Sequence, residues 1–188
     1  MIVTMDAVDG LERAYEDLAT VVAALGPEQY GLPTCCPAWD VRGLLNHILG
    51  GALMYTLVNA GQRAGEDAGD VAGADPARAL EVTAAANLAS WRRPGAREGD
   101  RSYPWGTFPA GAGLLINLGE VALHTWDLAK ATGQPAQIDA EVAQLVYDFY
   151  RAVPMEGMRA GGVYGPEIGV PESAPVQDRL LGFLSRQP

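Results

Sequence analysis

At 188 residues, with 48% hydrophobic and 19% charged side chains, the chain is long enough for one domain with a proper core and short for two. A formal net charge of −10 and a pI of about 4.5 argue against nucleic acid as a partner, because an acidic surface repels phosphate backbones. No stretch approaches the roughly 20 apolar residues of a membrane span, and Met1 to Met5, interrupted by Asp6, is too short for the apolar core of a signal peptide.

The first predicted element is an amphipathic helix from Asp6 to about Leu25. Val8, Leu11, Tyr15, Leu18, Val22 and Leu25 recur three or four apart along it, and Gly26-Pro27 stops it. Leu32 to Pro37 reads as a stiff connector holding both cysteines, Cys35 and Cys36. Neighbours in sequence rarely close a disulfide, because the ring is strained, so the pair points to a reducing cytoplasm. No CxxC motif for zinc or redox chemistry is present. Asp40 is the expected N-cap of a second helix, Val41 to about Gln62, with Leu44, Leu45, Ile48, Leu53 and Leu57 as its apolar stripe. Gly50-Gly51 weakens that helix locally and lets a helix or ligand come close. After a polar, Gly- and Ala-rich loop over 64–74, Asp75-Pro76 starts a third helix carrying Leu80, Val82, Leu88 and Trp91, ended by Pro94-Gly95.

The basic group Arg92, Arg93, Arg97 and Arg101 is punctuated by Glu98 and Asp100 and reads as a solvated loop. Arg101 to Phe108 is expected to be extended around a tight turn at Tyr103-Pro104-Trp105-Gly106. A fourth helix spans Ala110 to Ala131, closed by Thr132-Gly133. Asp139 caps a helix to about Val153, Met155 to Ser173 reads as irregular, and Val176 to Ser185 as a short closing helix. Four long helices with short or medium connections predict an all-α fold. The expected architecture is an antiparallel four-helix bundle, up-down-up-down, with extra short C-terminal helices, one domain over residues 1–188.

Chemistry concentrates on the only two histidines. His47 lies in the second predicted helix and His124 in the fourth, where Glu120 stands four residues earlier and so projects from the same face. An acid and an imidazole on one helix, with a second imidazole facing them, make a three-ligand site that leaves metal positions open to water or substrate. Spacing alone fits equally well two hydrogen-bonded core histidines and a surface Glu120. Asp127, three residues after His124, is the candidate catalytic residue. It would orient a metal-bound imidazole or act as a general base, and a purely structural hydrogen bond is the alternative.

Two segments resemble a known family. Cys36-Pro37-Ala38-Trp39-Asp40-Val41-Arg42-Gly43-Leu44-Leu45-Asn46-His47 is similar to the PCxxWxVxxLxxH signature of the mycothiol-dependent maleylpyruvate isomerase N-terminal domain. Glu120-Val121-Ala122-Leu123-His124-Thr125-Trp126-Asp127-Leu128-Ala129 resembles its second signature, and the tail Ala174 to Leu181 resembles the end of a short actinobacterial metal-binding branch. The group lies within the DinB-like (DNA-damage-inducible B) superfamily of four-helix metalloproteins. The resemblance implies a divalent metal, zinc above all, on His47, Glu120 and His124. It further implies mycothiol as a thiol cosubstrate and a small-molecule substrate in isomerase or S-transferase chemistry. The full isomerase carries an additional C-terminal domain that this chain is too short to include whole, which puts maleylpyruvate isomerisation itself in doubt. Two other readings stay open: a thiol-independent, metal-dependent enzyme of secondary metabolism, and a non-catalytic metal-binding module.

The remaining polar and aromatic residues carry weaker expectations. Cys36 reads as a packed turn before a helix, with nucleophile or extra ligand as the alternative; Cys35, where the family commonly has proline, is assigned no role. Asn46 points about 100° away from His47 and reads as structural. Trp39 and Trp126 are expected as core anchors, Tyr103 and Trp105 as pocket-lining residues. Arg101 and Arg151 are candidate anion contacts, with surface solvation as the plainer reading. A large apolar fraction is compatible with a homodimer.

Overall fold

The computed structural model describes residues 5–65 and 68–188. Residues 1–4 of the N-terminal segment and residues 66–67 of the polar loop lie outside the described residues. Among the described residues seven α-helices, one short 3-10 turn at Pro27–Gln29 and one hairpin form: α1 (Ala7–Ala23), α2 (Val41–Asn59), α3 (Pro76–Trp91), β1 (Asp100–Tyr103), β2 (Gly106–Pro109), α4 (Ala110–Ala131), α5 (Ala140–Ala152), α6 (Glu156–Ala160) and α7 (Val176–Phe183). Among the described residues no helix is long and apolar enough to cross a membrane.

Aspartates set where the helices begin. Asp6 accepts from the Val8 amide, Asp40 from Gly43, Asp75 from Arg78, and Asp139 from Glu141 and Val142. Each satisfies an otherwise orphaned amide of a first turn, and such a cap contributes about 1 kcal/mol. Leucines on the inward faces close the core: Leu11 and Leu18 of α1, Leu44, Leu45 and Leu49 of α2, and Leu114, Leu118, Leu123 and Leu128 of α4 are all essentially inaccessible.

The all-α four-helix bundle with short C-terminal helices forms as the sequence implies, and the contacts set its directions. The long helices follow one another around the core as α1, α3, α2, α4. Gln134 bonds the Val21 carbonyl and Gln29 the Thr132 carbonyl, so α1 and α4 end together and run parallel. Tyr15 to Asn87 and Arg92 to Glu12 set α3 against α1. Asn87 to Ala52 and Asn59 to Ser90 set α2 alongside α3. The order of directions is therefore up-down-down-up in place of strict alternation. The reason is the connection after α2, which climbs back along it: Arg42 grips Asp70 and the Gly73 carbonyl, and Asn46 bonds Asp70 and the Ala72 amide. Asn46 is thus structural, as expected, and α2 and α4 are neighbours with opposed directions.

Two local expectations change and a third holds. Leu57 is 37% exposed and Val82 50% exposed, because the buried face of α2 passes through Ala52, Tyr55 and Val58, and that of α3 through Thr83, Ala84 and Asn87. Within the segment read as irregular, residues 156–160 form α6. The extended stretch is an antiparallel hairpin pairing Arg101 with Phe108 and Tyr103 with Gly106.

Candidate metal centre

α2 and α4 bring the three expected donors together. The Glu120 Oε2 oxygen lies 3.0 Å from His47 Nε2 and 3.5 Å from His124 Nε2. One donor atom from each residue lies within 4.8 Å of the others. Tetrahedral ligands about 2.0–2.1 Å from a zinc ion stand about 3.3 Å apart, so these spacings fit a divalent cation with little movement. His47 and Glu120 are each about a third exposed and His124 is nearly buried, leaving one side of the cluster open. Trp39 stacks flat on the His47 ring at 4.2 Å, which fixes the imidazole plane. It is half-buried at the site and is not the core anchor expected of it; Trp126 is buried as expected.

Asp127 is wholly buried and lies on the other edge of His124. Its Oδ2 is 2.9 Å from Nδ1, which leaves Nε2 facing His47 and Glu120. This is the contact by which a second-layer carboxylate fixes which nitrogen of an imidazole binds metal. Arg186 completes the pair from beyond α7: Nε donates to Asp127 Oδ1 at 2.9 Å and a terminal nitrogen to Oδ2 at 2.7 Å. Sequence reasoning missed Arg186, which lies 59 positions from its partner in a tail with no local pattern. The one available signal is that a carboxylate in an apolar helix run needs a counter-charge.

Both thiols also face this group. Cys35 donates to Asp127 Oδ1 at 3.0 Å, and Cys36 lies 3.6 Å from Oδ2 and 4.0 Å from His124 Nδ1. Cys36 therefore meets the far edge of the imidazole, away from its Nε2 side. Its thiol is pushed down to about 5, first by the hydrogen bond from Cys35 and, against burial, by His124. Cys35 is pushed far up by Cys36, burial and Asp127.

Electrostatics mark the centre as a place that calls for positive charge. Burial works to raise Glu120 and Asp127, yet the histidine contacts, with Arg186 added at Asp127, hold both well below the usual carboxylate range. Burial works to lower His124, but Asp127, Cys36 and Glu120 hold it well above the ordinary imidazole value. Two carboxylates around one imidazole are satisfied by an imidazolium or by a divalent cation.

The other expected contacts fall elsewhere. Tyr103 is buried and Trp105, 54% exposed, stacks on it at 5.6 Å; both rings meet Tyr55 of α2. Arg101 is partly exposed, and its guanidinium donates to the Gly95, Glu98 and Asp100 carbonyls, which knits the loop before the hairpin. Arg151 lies over the Tyr147 and Phe183 rings and lines a groove of about 610 Å³ beside α5 and α7, with Glu167, Glu172 and Arg179.

The fold and this donor set define a DinB-like helical bundle. Residues 11–129, more than half of the chain, match the mycothiol maleylpyruvate isomerase N-terminal domain family, and the chain belongs to that family. Two Mycobacterium tuberculosis proteins, uncharacterized protein Rv0738 of strain H37Rv and uncharacterized protein MT0763 of strain CDC 1551, are each 29% identical over 184 residues. These alignments cover 97% of this chain and 98% of each relative. Among solved structures, the crystal structure of the mycothiol-dependent maleylpyruvate isomerase superposes with a TM-score of 0.65 at 15% identity. The match covers 96% of this chain and 79% of that one, and shows a shared fold.

Proposed function

We propose that the protein is a metal-dependent enzyme that binds a divalent ion, zinc by preference, on His47, Glu120 and His124. It would use a low-molecular-weight thiol of the mycothiol type on a small-molecule substrate. The observation that carries this is the convergence of two imidazole nitrogens on one Glu120 oxygen, with Asp127 held on the remote nitrogen of His124. Bound there, the ion would lower the pKa of a coordinated thiol and polarise a carbonyl. The chain's own residues supply the frame. Trp39 holds the His47 plane, and Asp127 sets the His124 tautomer and stabilises its charge. Both oxygens of Asp127 are occupied by Arg186, the thiols and His124, and its side chain is closed to solvent. Its role is therefore positioning rather than proton transfer to substrate. The family's mycothiol dependence and the open side of the donor cluster support the thiol reading.

Metal content by mass spectrometry on purified protein tests it. About one ion per chain is expected, lost in His47→Ala and His124→Ala. In Asp127→Asn the ion should be retained but held roughly 10–100-fold more weakly. Turnover that rises with added mycothiol would support the thiol role, while full activity without it favours the thiol-independent enzyme. Protein that takes up no Zn²⁺, Ni²⁺ or Fe²⁺ would overturn the proposal.

A further inference from the structure

The proposed metal centre uses neither thiol, yet the chain's only two cysteines stand together behind it. Cys35 donates to Asp127 Oδ1 at 3.0 Å and Cys36 lies 3.6 Å from Oδ2. The two sulfurs and a carboxylate oxygen all lie within 4.8 Å of one another. In an extended chain successive side chains point to opposite faces, so neighbouring cysteines aimed at one carboxylate need a bent backbone. The connector supplies the bend. The Thr34 hydroxyl accepts from the Cys36 amide at 3.1 Å and donates to the Trp39 carbonyl at 2.8 Å. The Trp39 amide closes on the Cys36 carbonyl at 2.9 Å, and the Val41 amide on that of Leu32 at 3.0 Å. Pro37 restricts the backbone of Cys36 further. Cys35 is exposed and Cys36 half-buried, so the pair is open to solvent and held in place before any ligand arrives.

Covalent geometry limits what such a pair can do. Adjacent Cα atoms are about 3.8 Å apart across a trans peptide, below the roughly 4.4–6.8 Å that a disulfide spans. Direct S–S closure is strained, whereas one bridging atom bonded to both sulfurs closes a wider ring. Charge narrows the choice of that atom. Arg186 donates to both oxygens of Asp127, at 2.9 and 2.7 Å, so the carboxylate already has its counter-charge. A dication on the thiols would stand close to that guanidinium and be repelled by it. A neutral thiophile meets no such penalty.

We propose that Cys35 and Cys36 form a dithiol site for a neutral trivalent arsenical. The site lies on the Nδ1 edge of His124, while the cluster of His47 and Glu120 lies on its Nε2 edge. With arsenous acid the step is a ligand exchange without oxidation. Two As–O bonds break and two As–S bonds form, each thiol proton leaves with a hydroxide as water, and arsenic stays trivalent. Two neutral thiols are exchanged for one neutral adduct, so the charge beside Arg186 does not change. One As–OH remains, and its proton replaces that of the Cys35 thiol as a donor for Asp127 Oδ1. The inference needs no ion on His47, Glu120 and His124.

The test is titration of reduced, purified protein with sodium arsenite, read by native mass spectrometry and by counting free thiols. Wild type, Cys35→Ser, Cys36→Ser and wild type alkylated at both cysteines are compared, with far-UV circular dichroism to check folding. Wild type is expected to take one arsenic per chain and to lose both of its free thiols. Each serine variant keeps one sulfur, forfeits the chelate and should bind about 100-fold more weakly; the alkylated protein should bind none. Equal affinity in wild type and any of these three, or no arsenic on wild type, overturns the site. Cadmium chloride is titrated in parallel, and Cd²⁺ held through both cysteines more tightly than arsenite would overturn the choice of a neutral ligand. Zinc uptake, measured separately, bears only on the histidine cluster.

Discussion

At the scale of single residues, the contact between Asp127 and Arg186 is the one most exposed to testing. Asp127 is fully buried and Arg186 nearly so, and two parallel hydrogen bonds join them. Removing one partner of a buried pair costs more than removing both, because the remaining charge stays uncompensated. Arg186→Met is therefore expected to destabilise the protein by about 3 kcal/mol, and Asp127→Asn/Arg186→Met by distinctly less. Urea midpoints of the four proteins in the cycle check this; equal losses in the single and double variants would contradict it. The same residues show what a sequence discloses of a site. The grouping of His47, Glu120 and His124 was legible because three donors on two helices leave an i, i+4 spacing and two isolated histidines. Arg186 was not, since a partner brought in by tertiary packing leaves no periodicity around it. The approach of Cys35 and Cys36 to Asp127 was hidden for the same reason: it depends on how the connector folds over α4.

At the scale of elements, polar caps made the helix starts readable, while ends and buried faces were less so. Asp6, Asp40, Asp75 and Asp139 each cap the helix that the sequence placed after them. The faces of α2 and α3 were legible in Leu44, Leu45, Ile48, Leu80, Leu88 and Trp91, all buried, and misread only at Leu57 and Val82, where Val58 and the small or polar Thr83, Ala84 and Asn87 turn inward instead. Residues 156–160 are too short a turn for any periodicity to announce. Asp6 links a cap to a tertiary contact: it accepts from the Val8 amide and pairs with Arg97. The Arg97 hydrogen bond, partly opposed by burial and helped by the Val8 amide, holds the Asp6 carboxyl below its ordinary value. A carboxyl lowered on folding contributes stability above its unfolded pKa of about 3.9 and loses it as pH falls through the folded value. Asp6→Ala should thus cost about 1 kcal/mol at pH 7, a fall of roughly 2–4 °C in melting temperature. That deficit should shrink as the pH is taken below about 4. Thermal scans of both proteins at pH 7 and pH 3 decide it, and a deficit that grows in acid would contradict the assignment.

At the scale of the whole molecule, the question is whether the part beyond α4 is an appendage or belongs to the same cooperative unit. The family match ends at residue 129, before α5 begins. Even so, Leu180, Leu181 and Leu184 are buried to within about 1%, and Arg186 reaches back to Asp127 behind His124. Buried leucines contribute about 2–5 kcal/mol each when truncated, and loss of the buried pair adds to that. The total rivals the roughly 5–15 kcal/mol that holds an ordinary domain folded. The chain should therefore unfold as one domain, with circular dichroism and the fluorescence of Trp39 and Trp91 changing together. A protein ending at Pro175 should lose its sharp thermal transition together with the zinc uptake proposed for the full chain, because the same segment closes the core and supports Asp127. Calorimetry and zinc titration of the shortened chain are the checks. If it melts in one sharp transition and takes up as much zinc as the full chain, the C-terminal helices are an appendage and Arg186 has no part in holding the proposed metal centre.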